Sequence, residues 1–302
     1  MRILHALSLA TAIVGCASPR AINGTVTVSN VPLRYIREGH GPTAVAIGSA
    51  VYYPKAYSAA LRNHLDLVFV DARHFVPGYQ PTAADLAGVS IETFANDLDA
   101  VRQQLGIERW AVIGHSIHAQ IALAYARLYP QHTTHLVIIG GVPSTFADFS
   151  AAADSFFKAD ASPERKAALA VATQHLDSIL AATTPARRFA VGYQHRAALY
   201  WADPQYDATA LLSGLESGPA FGRLVASLPR HDQVRKALQE IRVPTLIILG
   251  RLDYAIPYFT WKPLVDGLSN VTLDILDGES HNPQTEHPQR FDPILVSFLT
   301  RK

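Results

Sequence analysis

Past residue 20 the sequence alternates short, unbroken apolar runs with longer stretches in which apolar residues recur every three or four positions. The runs read as strands and the stretches as amphipathic helices, so the pattern predicts a sheet with crossover helices. Residues 25–29 and 33–37 read as an antiparallel pair at the start. Residues 44–48, 67–70, 110–114 and 136–140 are continuous apolar runs ending in or just before Gly or Asp, as parallel strands buried on both faces do. Between the second and third of these, Ile91, Phe94, Leu98, Val101 and Leu105 share one helical face, and Ser90 is placed to cap the first turn. Ala-rich helical stretches without a convincing strand fill residues 144–240; residues 244–250 and 271–276 then resume the strand pattern, and residues 289–300 close as a helix. The expected division is a core of residues 16–143 and 241–302 interrupted by a helical insertion at 144–240.

The first 15 residues stand apart. Arg2 leads into an apolar stretch, residues 3–14, too short to span a bilayer as a mature helix, and small residues follow, as in a secretory signal. Ile13-Val14-Gly15-Cys16 resembles the bacterial lipobox, in which cleavage before the cysteine leaves a thiol that is acylated. That resemblance implies an exported protein of the cell envelope, held to a membrane only by lipid on Cys16. Composition supports a folded remainder: 302 residues, 49% hydrophobic and 17% charged, suffice for a large core and exclude a disordered chain. With 26 Lys+Arg against 25 Asp+Glu and no basic run, nothing marks a nucleic-acid partner. The single cysteine forbids an internal disulfide and a Cys-based zinc site.

Candidate chemistry gathers where the apolar runs end. Residues 110–114 run into a turn with Ser116 at its apex, followed by Ile121, Ala122, Tyr125 and Leu128 at helical spacing. Serine is a weak nucleophile at its free pKa, and a sharp strand-to-helix turn exposes its hydroxyl while aiming the next backbone N–H at a reacting carbonyl. Asp253 lies just past the run 246–250, and His281 lies in a Gly-containing loop after 271–276. Nucleophile, acid and base thus appear in the order Ser116, Asp253, His281.

These segments resemble the α/β-hydrolase superfamily, and the resemblance covers nearly everything after the N-terminal segment. Gly114-His115-Ser116-Ile117-His118, Gly250-Arg251-Leu252-Asp253 and Gly278-Glu279-Ser280-His281-Asn282-Pro283 carry it, and Asp71-Ala72-Arg73-His74-Phe75 looks like the family's Asp-x-Arg-Gly loop. The proline iminopeptidase-like branch is the most similar, through residues 200–207 and His281-Asn282-Pro283-Gln284. The resemblance implies a mostly parallel sheet flanked by helices, a helical cap over the site, and a Ser116–Asp253–His281 triad. It further implies an oxyanion hole from the N–H of Ile117 and of a residue after Gly48, with Ser49 the expected donor. Pocket candidates are His118, Ala50, Tyr200 and Trp201, with Tyr193 and Tyr206 as further wall residues. Two places depart from the family: His118 stands where Gly is usual, so its side chain must point into the pocket or toward solvent, and Ile47-Gly48-Ser49-Ala50-Val51 replaces His-Gly-Gly-Pro.

The expected activity is cofactor-independent cleavage of a small ester or amide through an acyl-enzyme. A serine at the turn argues against the haloalkane dehalogenases and epoxide hydrolases, whose nucleophile is Asp. The alternatives are an aminopeptidase, needing a carboxylate for the substrate ammonium from among Asp148, Asp154, Asp203, Asp207 and Glu216, and a non-catalytic binder on the same scaffold. His115-x-x-His118 and His132-x-x-His135 lack a carboxylate to complete a ligand set, so no metal is expected.

Overall fold

A computed structural model describes residues 21–301. The N-terminal segment expected to be a secretory signal, and Cys16, lie outside the described residues. Strands β1 (Ile22–Val28) and β2 (Val31–Gly39) pair antiparallel across Ser29 and Asn30, whose φ values of +48° and +65° make the two-residue turn that suits a twisted hairpin. The other strands are β3 (Thr43–Gly48), β4 (Asp66–Asp71), β5 (Trp110–His115), β6 (Thr133–Ile139), β7 (Thr245–Gly250) and β8 (Val271–Leu276). They form one sheet in the order β1-β2-β4-β3-β5-β6-β7-β8, parallel from β4 onward, with β2 antiparallel to β4.

The apolar runs are continuous because helices cover both faces of this sheet. Val45, Ile47, Val112 and Ile138 face a layer made by the helices Ile91–Gln104 and Ala119–Leu128, with Phe94, Leu98, Ile121 and Tyr125 at the contact. The alternate residues Ala44, Ala46, Ile113 and Ile139 face Leu61 and the helix Pro288–Thr300 through Phe291, Leu295 and Leu299. Capping of Ile91–Gln104 runs through Thr93, whose Oγ1 accepts the Ser90 N–H at 3.1 Å, while the Ser90 hydroxyl turns to Glu92 at 2.9 Å.

Helices Phe146–Asp160, Pro163–Thr173, Leu176–Ala182 and Arg188–His195, with shorter turns, fill most of the span between β6 and β7. His231–Glu240 is different: Val234 and Leu238 are buried with Leu123, Trp261 and Leu264, so this helix packs on the sheet layer although it falls within 144–240. Among the described residues no helix is long and apolar enough to cross a membrane.

The chain order reverses between β3 and β5: β4 lies on one side of this pair and β6 to β8 on the other. The crevice beyond the carboxyl ends of strands at such a switch point is where open α/β sheets bind ligands. At the end of β7, Gly250 has no room for a side chain, because a Cβ there would lie 2.0 Å from the Ser280 carbonyl oxygen and 2.5 Å from that of Glu279. Gly250→Ala is therefore expected to cost about 3 kcal/mol and lower the melting temperature. Gly222→Ala, in the helix Ala220–Ala226 with open space around it, is expected to gain about 0.5–1 kcal/mol. Thermal unfolding of both variants checks the contrast.

Candidate active site

Ser116 sits at φ +57°, and among the described residues only Ser29 and Asn30 of the hairpin turn are other non-glycines with positive φ. A left-handed serine between a buried strand and a helix is strained, and the strain turns its hydroxyl out of the sheet. Gly114 makes the turn possible, since a Cβ there would come within 2.6 Å of both Ala119 Cα and the His118 carbonyl. His118 itself has ordinary helical φ and ψ of −69° and −12°, so its position needs no glycine for the backbone. The far side of the turn is fixed by the Val142 N–H donating to the Ser116 carbonyl at 3.2 Å.

Asp253 and His281 come together from the loops after β7 and β8. His281 Nδ1 lies 2.7 Å from Asp253 Oδ2, and Asp253 Oδ1 accepts the N–H groups of Ala255 and Ile256 at 3.0 and 2.7 Å. Both residues are fully buried. A carboxylate so occupied holds the ring in the tautomer with hydrogen on Nδ1 and leaves Nε2 as an acceptor. That Nε2 is buried and has no partner among the described residues. The His281 backbone is tied on both sides: its N–H donates to the Tyr200 carbonyl at 3.2 Å, and its carbonyl lies 2.9 Å from His115 Nε2.

Neighbours of His281 join this loop to the helical span above it. Asn282 donates to the Tyr193 hydroxyl at 2.7 Å and to the Tyr200 carbonyl at 3.0 Å, and accepts from the Tyr52 hydroxyl at 2.9 Å. The Glu286 carboxylate accepts the N–H of Ser280 at 2.7 Å and of Ala202 at 2.6 Å. Burial pushes the Glu286 carboxyl up to about 7, against these two donors, which favour its charge.

Ser116, His281, Ser49 and Ile117 border one cavity of about 560 Å³, walled largely by aromatic and aliphatic side chains such as Phe149, Phe157, Phe189 and Phe221. The loop after β3 is held from beneath. The Ala50 N–H donates to Asp71 Oδ1 at 2.7 Å, Arg34 holds the other carboxylate oxygen at 2.5 Å, and Ser49 Oγ accepts the N–H groups of Val51 and Tyr52 at 3.1 Å each. Burial raises the Asp71 carboxyl above its ordinary range.

Of the expected pocket residues, His118 and Tyr200 line the cavity, as does Tyr193. Ala50 and Trp201 do not. Ala50 gives its N–H to Asp71 behind the wall, and Trp201 is fully buried in the core of the insertion, stacked on Tyr206 at 4.0 Å and edge-on to Tyr193. Asp154 is the one of the five candidate carboxylates at the cavity, accompanied by Lys158 and Arg196. His132 contacts the Glu108 carbonyl and His135 packs on Phe298; among the described residues no group of three or more His, Cys, Asp or Glu is placed to hold a metal. The residues that sequence reasoning missed are Tyr53 and His74. His74 Nε2 lies 3.1 Å from His118 Nε2, and Tyr53 Oη lies 3.3 Å from both His118 Nδ1 and His115 Nδ1. A signal was present for His74, which stands where the family's Asp-x-Arg-Gly loop has its glycine.

The chain has relatives of the same fold. AB hydrolase superfamily protein YclE of Bacillus subtilis (strain 168) is 30% identical over 269 residues, covering 88% of this chain and 95% of YclE. A proline iminopeptidase of Xylella fastidiosa (strain Temecula1 / ATCC 700964) is 26% identical over 229 residues, covering 67% of this chain and 70% of that protein. The solved structure of an alpha/beta fold family hydrolase from Bacillus anthracis str. Sterne superposes with a TM-score of 0.66 at 19% identity, over 92% of this chain and 99% of that one, which shows a shared fold. The family model for the alpha/beta hydrolase fold matches residues 40–288, strands β3 to β8 and the helices between them, and the chain belongs to that family.

Proposed function

We propose that the protein is a serine hydrolase that cleaves an ester or amide bond of a small substrate through an acyl-enzyme. Ser116 attacks the carbonyl carbon, His281 takes the hydroxyl proton at Nε2 and passes it to the leaving group, and Asp253 orients the ring and stabilises the imidazolium. Water then enters by the same proton path, releasing the acid and restoring Ser116. One observation carries this reading: His281 has Nδ1 engaged by Asp253 and a buried Nε2 without a partner among the described residues, and it borders the same cavity as a serine held at φ +57°. The N–H groups of Ile117 and Ser49 are the oxyanion donors, since the next amide in that loop, of Ala50, is already given to Asp71. No cofactor is required for these steps.

The similarity to a proline iminopeptidase raises an aminopeptidase as a second reading, which needs an anionic seat for the substrate ammonium. Asp154 is at the cavity, but Lys158 and Arg196 accompany it, so the charged wall does not favour a cation. The apolar remainder of the wall suits a hydrophobic acyl or leaving group. In the cell the enzyme is exported and tethered at its N-terminus by lipid on Cys16.

Three measurements test these assignments. Ser116→Ala is expected to lower kcat by about 10⁶, because triad members act as a unit, and a fluorophosphonate probe is expected to label the wild type at Ser116 but not the variant. Retained activity in the variant ends the proposal, and a folded wild type that takes no label is a ligand binder instead. In a panel of p-nitrophenyl esters and aminoacyl-nitroanilides, proline included, turnover is expected on the esters; turnover confined to the nitroanilides selects the aminopeptidase. Cys16→Ser is expected to move the protein from the membrane fraction to the soluble one without changing kcat, which fractionation and a shared ester assay read together.

A further inference from the structure

Two of the positions where this chain replaces a family glycine, His74 and His118, are filled by histidines that touch. Their rings are 3° from parallel with centroids 5.2 Å apart, and both are buried. From this pair a row of polar contacts leads to the reacting histidine. His74 Nε2 is 3.1 Å from His118 Nε2, His118 Nδ1 is 3.3 Å from Tyr53 Oη, Tyr53 Oη is 3.3 Å from His115 Nδ1, and His115 Nε2 is 2.9 Å from the carbonyl oxygen of His281.

The last contact fixes the sense of all the others. A carbonyl only accepts, so His115 Nε2 carries hydrogen. Burial holds His74 and His115 well below the ordinary imidazole range and lowers His118 to about 4, so at neutral pH each ring has one N–H. His115 Nδ1 is then an acceptor and takes the hydroxyl hydrogen of Tyr53, whose deprotonation burial opposes. The Tyr53 oxygen accepts from His118 Nδ1–H, which leaves His118 Nε2 to accept from His74 Nε2–H. A row of donors all facing one way must leave one acceptor unused at its beginning. His74 Nδ1 is that atom: it is buried and has no partner among the described residues.

We propose that His115, Tyr53 and His118, with His74 as the terminal donor, are positioning residues whose one-directional hydrogen-bond row sets the height of the His281 loop over Ser116. The inference rests on the serine hydrolase reading. His281 is otherwise held by a side-chain contact to Asp253 and by its N–H to Tyr200. Without His115 its carbonyl would be a buried acceptor with no donor from the sheet, and a small shift of the base relative to the nucleophile is enough to slow proton transfer. The row also braces the oxyanion loop, because the His118 ring lies so near Gly48 that a Cβ there would meet its Cε1 at 2.8 Å. Nucleophile strand, oxyanion loop, Asp71 loop and base loop are thereby joined through four side chains.

Two experiments on the full chain test the row. Nitrogen-15 NMR of the assigned histidines is expected to show hydrogen on Nε2 of His74, Nδ1 of His118 and Nε2 of His115; the opposite tautomer at His118 or His115 overturns the proposal, whatever any variant does. Tyr53→Phe removes the central oxygen with little change of shape. It is expected to lower kcat about 10- to 100-fold with KM within about twofold, and to slow fluorophosphonate labelling of Ser116 by the same factor. Wild-type kcat and labelling rate in Tyr53→Phe, or a loss confined to KM or to melting temperature, overturns the positioning role. Failure of the wild type to label at all counts against the serine hydrolase reading, while the tautomers still decide the row.

Discussion

A serine in the left-handed region costs on the order of 1–3 kcal/mol, and it persists only where the surroundings leave the backbone no other course. At Ser116 that constraint comes from both directions. The six residues of β5 before it are all buried between two helical layers, and the helix after it buries eight residues from Ala119 to Ala126. Gly114 lets strand and helix approach closely, and Val142 holds the serine carbonyl from the end of the neighbouring strand. Relaxing the turn would mean moving the centre of the sheet. The strain is therefore supported by the apolar clusters on both faces of the sheet.

The other half of the site has a different kind of support. The loop that carries His281 has little apolar burial of its own and is held by polar contacts from distant segments. Asp253 takes the side chain, Tyr200 and His115 take the backbone, and Asn282 and Glu286 secure its neighbours to the helical span over the cavity. Packing fixes Ser116, whereas directed hydrogen bonds fix the loop of His281. Packing tolerates swaps that conserve volume, but a hydrogen-bonded loop depends on each donor being present and correctly turned.

The inner strands were legible in the sequence because a sheet covered on both faces yields unbroken apolar runs, and the runs at 44–48, 67–70, 110–114, 136–140 and 244–250 each coincide with a strand, while the half-buried edge strand at 271–276 alternates apolar with polar residues. Ser116, Asp253 and His281 stand out in the sequence because each follows a strand-like segment, and the structure places them just past β5, β7 and β8. The helical span was harder, since its Ala-rich sequence carries no signal for which helix face meets the cavity. Trp201 was placed at the wall from its aromatic character, yet its indole is enclosed by Tyr193 and Tyr206. The helix His231–Glu240 shows the same limit, because an amphipathic pattern shows that one face is buried without showing what covers it. His74 and Tyr53 escaped notice because a buried polar row is a fact of three dimensions: its members lie at positions 53, 74, 115 and 118 with no common spacing.

The contacts on the base loop join residues remote in sequence: His115 to His281 spans 166 residues, Tyr52 to Asn282 spans 230, and Tyr200 to Asn282 spans 82. The helices, by contrast, close on themselves within a few residues. In a refolding chain, local contacts form early and such remote ones late, because each requires that a long loop already be closed. Circular dichroism would thus recover while the base is still unplaced. If the proposed mechanism holds, turnover reports finished folding, because the Asp253–His281 pair and the contacts that hold it are completed only when segments from both ends of the sheet have met.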